Sequence, residues 1–148
     1  MTPVDTPPAE ILTPTPQQLA WQKAGLGMFF HVGVNTFAGT EWSDGTIPAS
    51  AFAPTDLYAD EWVRVARDLG AAYVVLTAKH HDGFCLWPTG TTDYSVASSP
   101  WKDGTGDVVR EGADAARRYG LGLGLYLSPG PPAACVSRAC CRMARTSP

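Results

Sequence analysis

AAYVVLTAKHHDGFCLW, residues Ala71–Trp87, decides how this chain is read. Its first half holds Tyr73-Val74-Val75-Leu76, a short apolar run rich in β-branched residues. Such a run, entered from a helical pattern through Gly70, predicts a buried strand of a parallel sheet. Then the apolar character stops. Lys79-His80-His81-Asp82-Gly83 puts four ionisable groups on five residues at the carboxyl end of that strand. Phe84, Cys85, Leu86 and Trp87 follow at once. Ligands of parallel α/β folds sit at the carboxyl ends of strands. A polar cluster backed by Phe84 and Trp87 is therefore expected to be a sugar or anion site with an aromatic stacking wall. A lone histidine there is more often a loop residue bonded to its neighbours. Two in succession, between a buried strand and aromatics, point to a site.

The flanks repeat the same grammar. From about Tyr58 to Leu69, Trp62, Val65, Ala66 and Leu69 recur at helical spacing, with Arg64, Arg67 and Asp68 outward. Asp60 and Glu61 suit the first turn of that helix, and Gly70 suits its end. Further upstream, Pro16–Ala24 reads as a short helix with Leu19 and Trp21 as its packing residues. Leu26–Val32 reads as a strand with His31 near its carboxyl end. Val34–Pro54 reads as a long irregular loop holding Asn35-Thr36-Phe37 and Glu41-Trp42-Ser43-Asp44-Gly45. Loops of that length in compact domains are functional or disordered, and the aromatic content favours order. A carboxylate beside a Trp suits a sugar, the indole face meeting C–H bonds and the carboxylate taking hydroxyl protons. Taken alone, Trp42 is better explained as a loop anchor and Glu41 as a solvated acid.

Downstream, Pro88–Gly106 reads as a second long loop. Asp107 caps a helix over Val108–Tyr119, with Val108, Val109, Gly112, Ala113, Ala116 and Tyr119 inward. Leu121–Leu127 follows as a third strand with Ser128 at its end. Strand, loop, helix, strand, loop, helix, strand makes two βαβ units, hence a parallel sheet with right-handed crossovers. Long loops follow strands and tight Gly turns follow helices, so His31, Glu41, Trp42, His80, His81 and Ser128 gather at one end. The expected fold class is α/β, an incomplete (β/α)8 TIM-like barrel of about three βα units with parallel strands. In it Phe29, Val75 and Leu125 are expected on the inward face. A doubly wound fold is the runner-up, but no G-x-G-x-x-G follows the first strand.

At 148 residues the chain is one ordinary domain, short of the ~250 residues of a full barrel. Hydrophobic residues at 45% and charged residues at 17% exclude a disordered chain. The net charge of −3 conceals an asymmetry. All 14 acidic residues precede position 115, and the body carries 8 basic residues against them, net −6. Such a body repels nucleic acid and shows no basic stripe. No run of ~18 apolar residues is present, so no membrane span is expected. Residues 1–16, with five Pro and no period, read as an extended leader without the basic and apolar regions of a signal peptide. A cytoplasmic location is the corresponding expectation. The domain proper is read as 17–129. Residues 130–148 carry Arg138, Arg142 and Arg145, Cys135, Cys140 and Cys141, and no acid. This tail has no hydrophobic period and reads as a shifted reading frame or a premature end, against the alternative of a basic, redox-active regulatory tail. The cysteine spacing, with Cys85 alone in the body, fits neither a zinc motif nor a disulfide framework.

LGMFFHVGVNTF, EWSDG, TAKHHDGFCLWPTGTTDYSVASSPW and GDVVREGADAARRYGLGLGLYLSP together resemble the start of glycoside hydrolase family 29, the α-L-fucosidases. The resemblance covers about residues 18–129. Asn35-Thr36-Phe37 and the Trp87–Trp101 run look most like the branch acting on α-1,3/1,4-linked fucose. The resemblance implies a (β/α)8-like catalytic domain that hydrolyses terminal fucose with retention, on fucosylated oligosaccharides or glycoconjugates, with no metal and no cofactor. Matched position by position, it implies that His31, Glu41, Trp42, His80 and His81 hold the fucose ring, with Tyr126 a weaker match. Val32 stands where the family has Trp or Phe, which predicts a looser apolar wall. The match stops at Pro129, before the fourth strand, whose end bears the family's nucleophilic Asp; the acid/base follows later. A retaining glycosidase needs two carboxyls about 5–5.5 Å apart. The site-end carboxylates here are Glu41, Asp44, Asp82 and Asp93, and the resemblance assigns none of them the nucleophile's part. The expectation is a fucose-holding half-site without a catalytic pair. The alternatives are a non-catalytic sugar-binding module and a different barrel hydrolase, one using His31, His80 and His81 on a metal. Successive histidines on a strand end point to opposite sides, which disfavours the metal.

Overall fold

The computed structural model describes residues 13–129. Expectations for positions 1–12 and for the tail 130–148, its three cysteines included, lie outside the described residues. Three parallel strands form the sheet, in the order β1 (Gly27–Phe30), β2 (Tyr73–Lys79) and β3 (Gly122–Leu127). Phe29 pairs with Val75, and Val75 with Gly124. Helices α3 (Ala59–Asp68) and α4 (Val108–Tyr119) make the two crossovers and pack on each other.

Local chemistry explains most boundaries. Helix α1 (Pro16–Ala24) starts in a capping box: the Gln18 N–H donates to Thr15 Oγ1 at 3.2 Å and the Thr15 N–H to Gln18 Oε1 at 2.8 Å. Asp107 caps α4, accepting from the Arg110 N–H at 2.8 Å, and Gly120 closes it in the left-handed conformation. Strand β2 runs three residues further than its apolar stretch, through Thr77, Ala78 and Lys79.

The structure corrects four expectations about single segments and a fifth about the faces of the sheet. Helix α1 buries none of its residues, and Trp21 is 64% exposed, its ring meeting Tyr73 at the start of the central strand. In α3 the buried residues are Ala59, Val63 and Ala66, whereas Val65 and Leu69 are exposed. The small residues face the sheet and permit close approach; a helical period alone leaves that phase open. In α4, Ala115 joins the buried face and Ala113 stays half-buried. The stretch 34–54 is not irregular throughout: it holds helix α2 (Val34–Ala38) and a 3-10 turn at Ala49–Ala51.

Two apolar clusters lie on the helix side of the sheet. One joins Val63, Ala66, Ala71, Val74, Ala115 and Ala116 between α3, α4 and β2. The other, nearer the carboxyl ends, centres on Phe52, Leu76, Phe84, Leu86 and Trp101 and roots the loops that carry the polar cluster. Leu123 and Leu125 pair with Val74 and Leu76 and so share the helix-side face. Leu125 is therefore opposite to Phe29 and Val75, not beside them as expected.

Candidate functional site

Strand β1 ends at Phe30, and His31 follows at its carboxyl end. Strand β2 ends at Lys79, and the tight turn His80–Gly83 follows, closed by the Gly83 N–H donating to the His80 carbonyl at 3.1 Å. Because the strand has ended, the alternation of side chains has ended too. His80 and His81 do not diverge; their rings lie 4.8 Å apart, edge to face. The His31 ring is 4.6 Å from His80. Trp42 lies over the pair, 5.6 Å from His80 and 4.6 Å from His81, and is 59% exposed. Three histidines and one open indole face thus form a single polar-aromatic patch at the carboxyl ends of β1 and β2.

Two of the three imidazoles, His31 and His81, are oriented by hydrogen bonds. His31 Nδ1 meets Thr77 Oγ1 at 3.2 Å, and His31 Nε2 meets Asn35 Nδ2 at 3.4 Å. His81 Nδ1 meets Ser128 Oγ, just past β3, at 2.8 Å. Burial, reinforced by the neighbouring His31, holds the His80 imidazole below its ordinary pKa of 6.5, against the pull of Asp82. His80 is neutral at neutral pH as a result. Its Nδ1 is buried and finds no hydrogen-bond partner among the described residues. Asp82 is buried beneath the turn, with Oδ1 accepting from the Phe84 N–H at 2.9 Å.

The loops are stitched to this turn. The Tyr94 hydroxyl donates to the Ile47 carbonyl at 2.7 Å, and burial beside Asp82 and Asp44 pushes its pKa up to about 12. Gly45 sits against the Asp82 carbonyl, where a Cβ would come within 2.9 Å, and its φ is +87°.

The expected residues divide cleanly. His31, Trp42 and His81 each make ring contact with His80, and Trp42 also with His81. Glu41 is brought beside them through its backbone, its carbonyl accepting from Asn35 Nδ2 at 3.1 Å, with its side chain exposed. Tyr126 pairs with Thr77 in the sheet and sets its half-buried ring on Phe29, 5.9 Å away. Half of the expected aromatic wall is absent: Phe84 is 2% exposed and packs on Phe52 and Tyr94 in the core, Trp87 is half-buried, and Trp42 is the exposed ring against the histidines. Val32 packs onto the Phe52 cluster below the patch. No three His, Cys, Asp or Glu among the described residues are grouped as a metal-binding set. Sequence reasoning missed Asn35 and Thr77. Thr77 carried one usable signal, a polar residue inside an otherwise apolar strand.

Comparison with known proteins agrees on one family. The α-L-fucosidase family profile matches residues 43–133. α-L-Fucosidase 1 of Arabidopsis thaliana is 58% identical over 116 residues, covering 78% of this chain and 23% of its own length. The crystal structure of a glycoside hydrolase 29 family member from an unknown rumen bacterium superposes with a TM-score of 0.78 at 46% identity, over 82% of this chain and 22% of that one. A Ruminococcus gnavus family 29 fucosidase, an aspartate-to-alanine mutant in complex with fucose, superposes with a TM-score of 0.72 at 37% identity, over 78% of this chain and 24% of that one. The chain spans about a quarter of the length of these relatives.

Proposed function

This chain belongs to the α-L-fucosidases of glycoside hydrolase family 29, and from that premise we propose that its histidine patch is the fucose-holding part of a retaining α-L-fucosidase site. The observation that supports this most is the ring contact of Trp42 with His80 and His81 above paired, oriented imidazoles. The geometry suits a deoxyhexose. The open face of Trp42 offers an apolar surface to ring C–H bonds and the methyl group. His81, tied at Nδ1 to Ser128, has Nε2 for a sugar hydroxyl. Neutral His80 exchanges hydrogen bonds with hydroxyls without attracting anions. Glu41 supplies a carboxylate at the rim. In this reading the three strands are the first three of a (β/α)8 barrel, and the substrates are fucosylated oligosaccharides or glycoconjugates. Asn35-Thr36-Phe37 supports α-1,3/1,4-linked fucose as the substrate.

Binding and hydrolysis separate here. Retention requires a nucleophile and an acid/base about 5–5.5 Å apart. Among the described residues, Asp82 is buried under the turn and Glu41 is exposed, and the resemblance to the family assigns neither the nucleophile's part. The 148-residue chain is therefore expected to bind fucose and not to release it from an aryl α-L-fucoside. Calorimetric titration with fucose and a chromogenic assay test the two halves. Turnover by the pure chain that Asp82→Asn or Glu41→Gln abolishes would reassign the catalytic residues. Absence of fucose binding by a folded chain would sink the sugar-site reading.

A further inference from the structure

Asn35 is 3% exposed and lies in α2, a segment that no expectation connected to the histidines except by proximity in sequence. Its amide nitrogen faces two groups at once. The Glu41 carbonyl is 3.1 Å away and can only accept, so the Asn35 atom there must be the donating nitrogen. The same nitrogen lies 3.4 Å from His31 Nε2. A side-chain amide cannot accept through nitrogen, so His31 Nε2 must be the acceptor. The proton of the neutral ring then sits on Nδ1 and is donated to Thr77 Oγ1, 3.2 Å away. The other half of the amide fits the same arrangement. Asn35 Oδ1 is buried close to Gly33, where a Cβ would approach it to 2.7 Å. Gly33 has φ −174°, extended backbone open to any residue, so its lack of a side chain serves space for Asn35 and not conformation.

We propose that Asn35 is a positioning residue of the sugar site: its buried amide sets His31 in the Nδ1-protonated tautomer and clasps the Glu41–Trp42 segment over the histidine patch. The inference rests on the sugar-site reading for its functional meaning and on hydrogen-bond chemistry for its geometry. It has a consequence for recognition. His31 presents an accepting nitrogen, so a sugar hydroxyl meeting it there must donate, and Asn35 competes for the same lone pair until the sugar arrives.

The chain has three histidines, which makes nitrogen-15 NMR of labelled imidazoles a tractable test, in solution or on sedimented protein. The unmodified chain is expected to show His31 protonated on Nδ1. Asn35→Asp keeps the volume but turns a carboxylate oxygen toward Nε2, and is expected to move a proton onto Nε2 and to shift the Trp42 indole resonance. A merely structural role would disturb Trp42 without relocating that proton. His31 protonated on Nε2 alone in the unmodified chain would overturn the proposal, as would a folded Asn35→Asp variant with the proton still on Nδ1. If that variant does not fold, the tautomer of the unmodified chain decides. Adding fucose to the unmodified chain separates the two readings. Absence of any shift at His81 and Trp42 overturns the sugar site and leaves the tautomer assignment standing on its own measurement.

Discussion

His80 is a residue whose proton affinity is changed by its surroundings. Burial and the adjacent His31 lower its pKa from 6.5. The unfolded chain thus takes up a proton at a higher pH than the folded one. Stability rises with pH wherever the unfolded state binds more protons, so the His80 contribution is complete above about pH 6.5 and is lost as pH falls toward the folded value. Urea unfolding followed between pH 7.5 and 5 is expected to show this decline, and His80→Gln to flatten it. An unchanged acid limb in the variant would place the pH sensitivity elsewhere.

At the scale of elements, a close backbone approach sets one site loop against the histidine turn. Gly45 carries a left-handed φ of +87° and lies against the Asp82 carbonyl, the point where the Glu41–Gly45 loop meets the histidine turn. Gly45→Ala is expected to cost about 1–2 kcal/mol from backbone conformation alone, and to lift Trp42 away from His81. Denaturant midpoints and the Trp42 indole resonance report the two effects. Asp107, the cap of α4, is a milder case. Asp107→Ala removes one acceptor from the Arg110 N–H and is expected to cost about 1 kcal/mol without touching the histidine patch. A loss of fucose binding out of proportion to that cost would show that α4 is coupled to the site.

Among the described residues, both faces of the sheet keep apolar side chains exposed to solvent. Helices α3 and α4 cover β1 and β2, but Leu123, Leu125 and Leu127 of β3 are 36%, 45% and 53% exposed. On the opposite face Phe29 is 55% exposed. Among the described residues β3 is also an edge strand, with backbone groups free to template further pairing. Each exposed leucine carries about 25 cal/mol per Å² of unburied apolar surface, which favours association. The 148-residue chain is expected to self-associate with rising concentration and to bind a hydrophobic dye. Leu125→Lys together with Leu127→Lys is expected to restore a monomer by sedimentation velocity. A sharp cooperative melt by a monomeric, dye-negative unmodified chain would show that these faces are tolerated.

The sequence by itself determined what depends on neighbours along the chain. The alternation of strands and helices, the caps at Asp107 and Gly120, and the histidine pair at the end of β2 were all legible because period and capping are local properties. His31, Trp42, His80 and His81 were legible because they follow strands that end on one side of a parallel sheet. Phase and partnership were not. Whether Val63 or Val65 of α3 meets the sheet depends on the crossing of α3 over β2, and a 3.6-residue period is silent on it. Leu125 takes its face from pairing with Leu76, a matter of register between strands far apart in sequence. His31 finds Thr77 46 positions away, and His81 finds Ser128 47 positions away. Only folding brings those groups within hydrogen-bonding distance, so only the tertiary structure could say which imidazole nitrogens are already engaged.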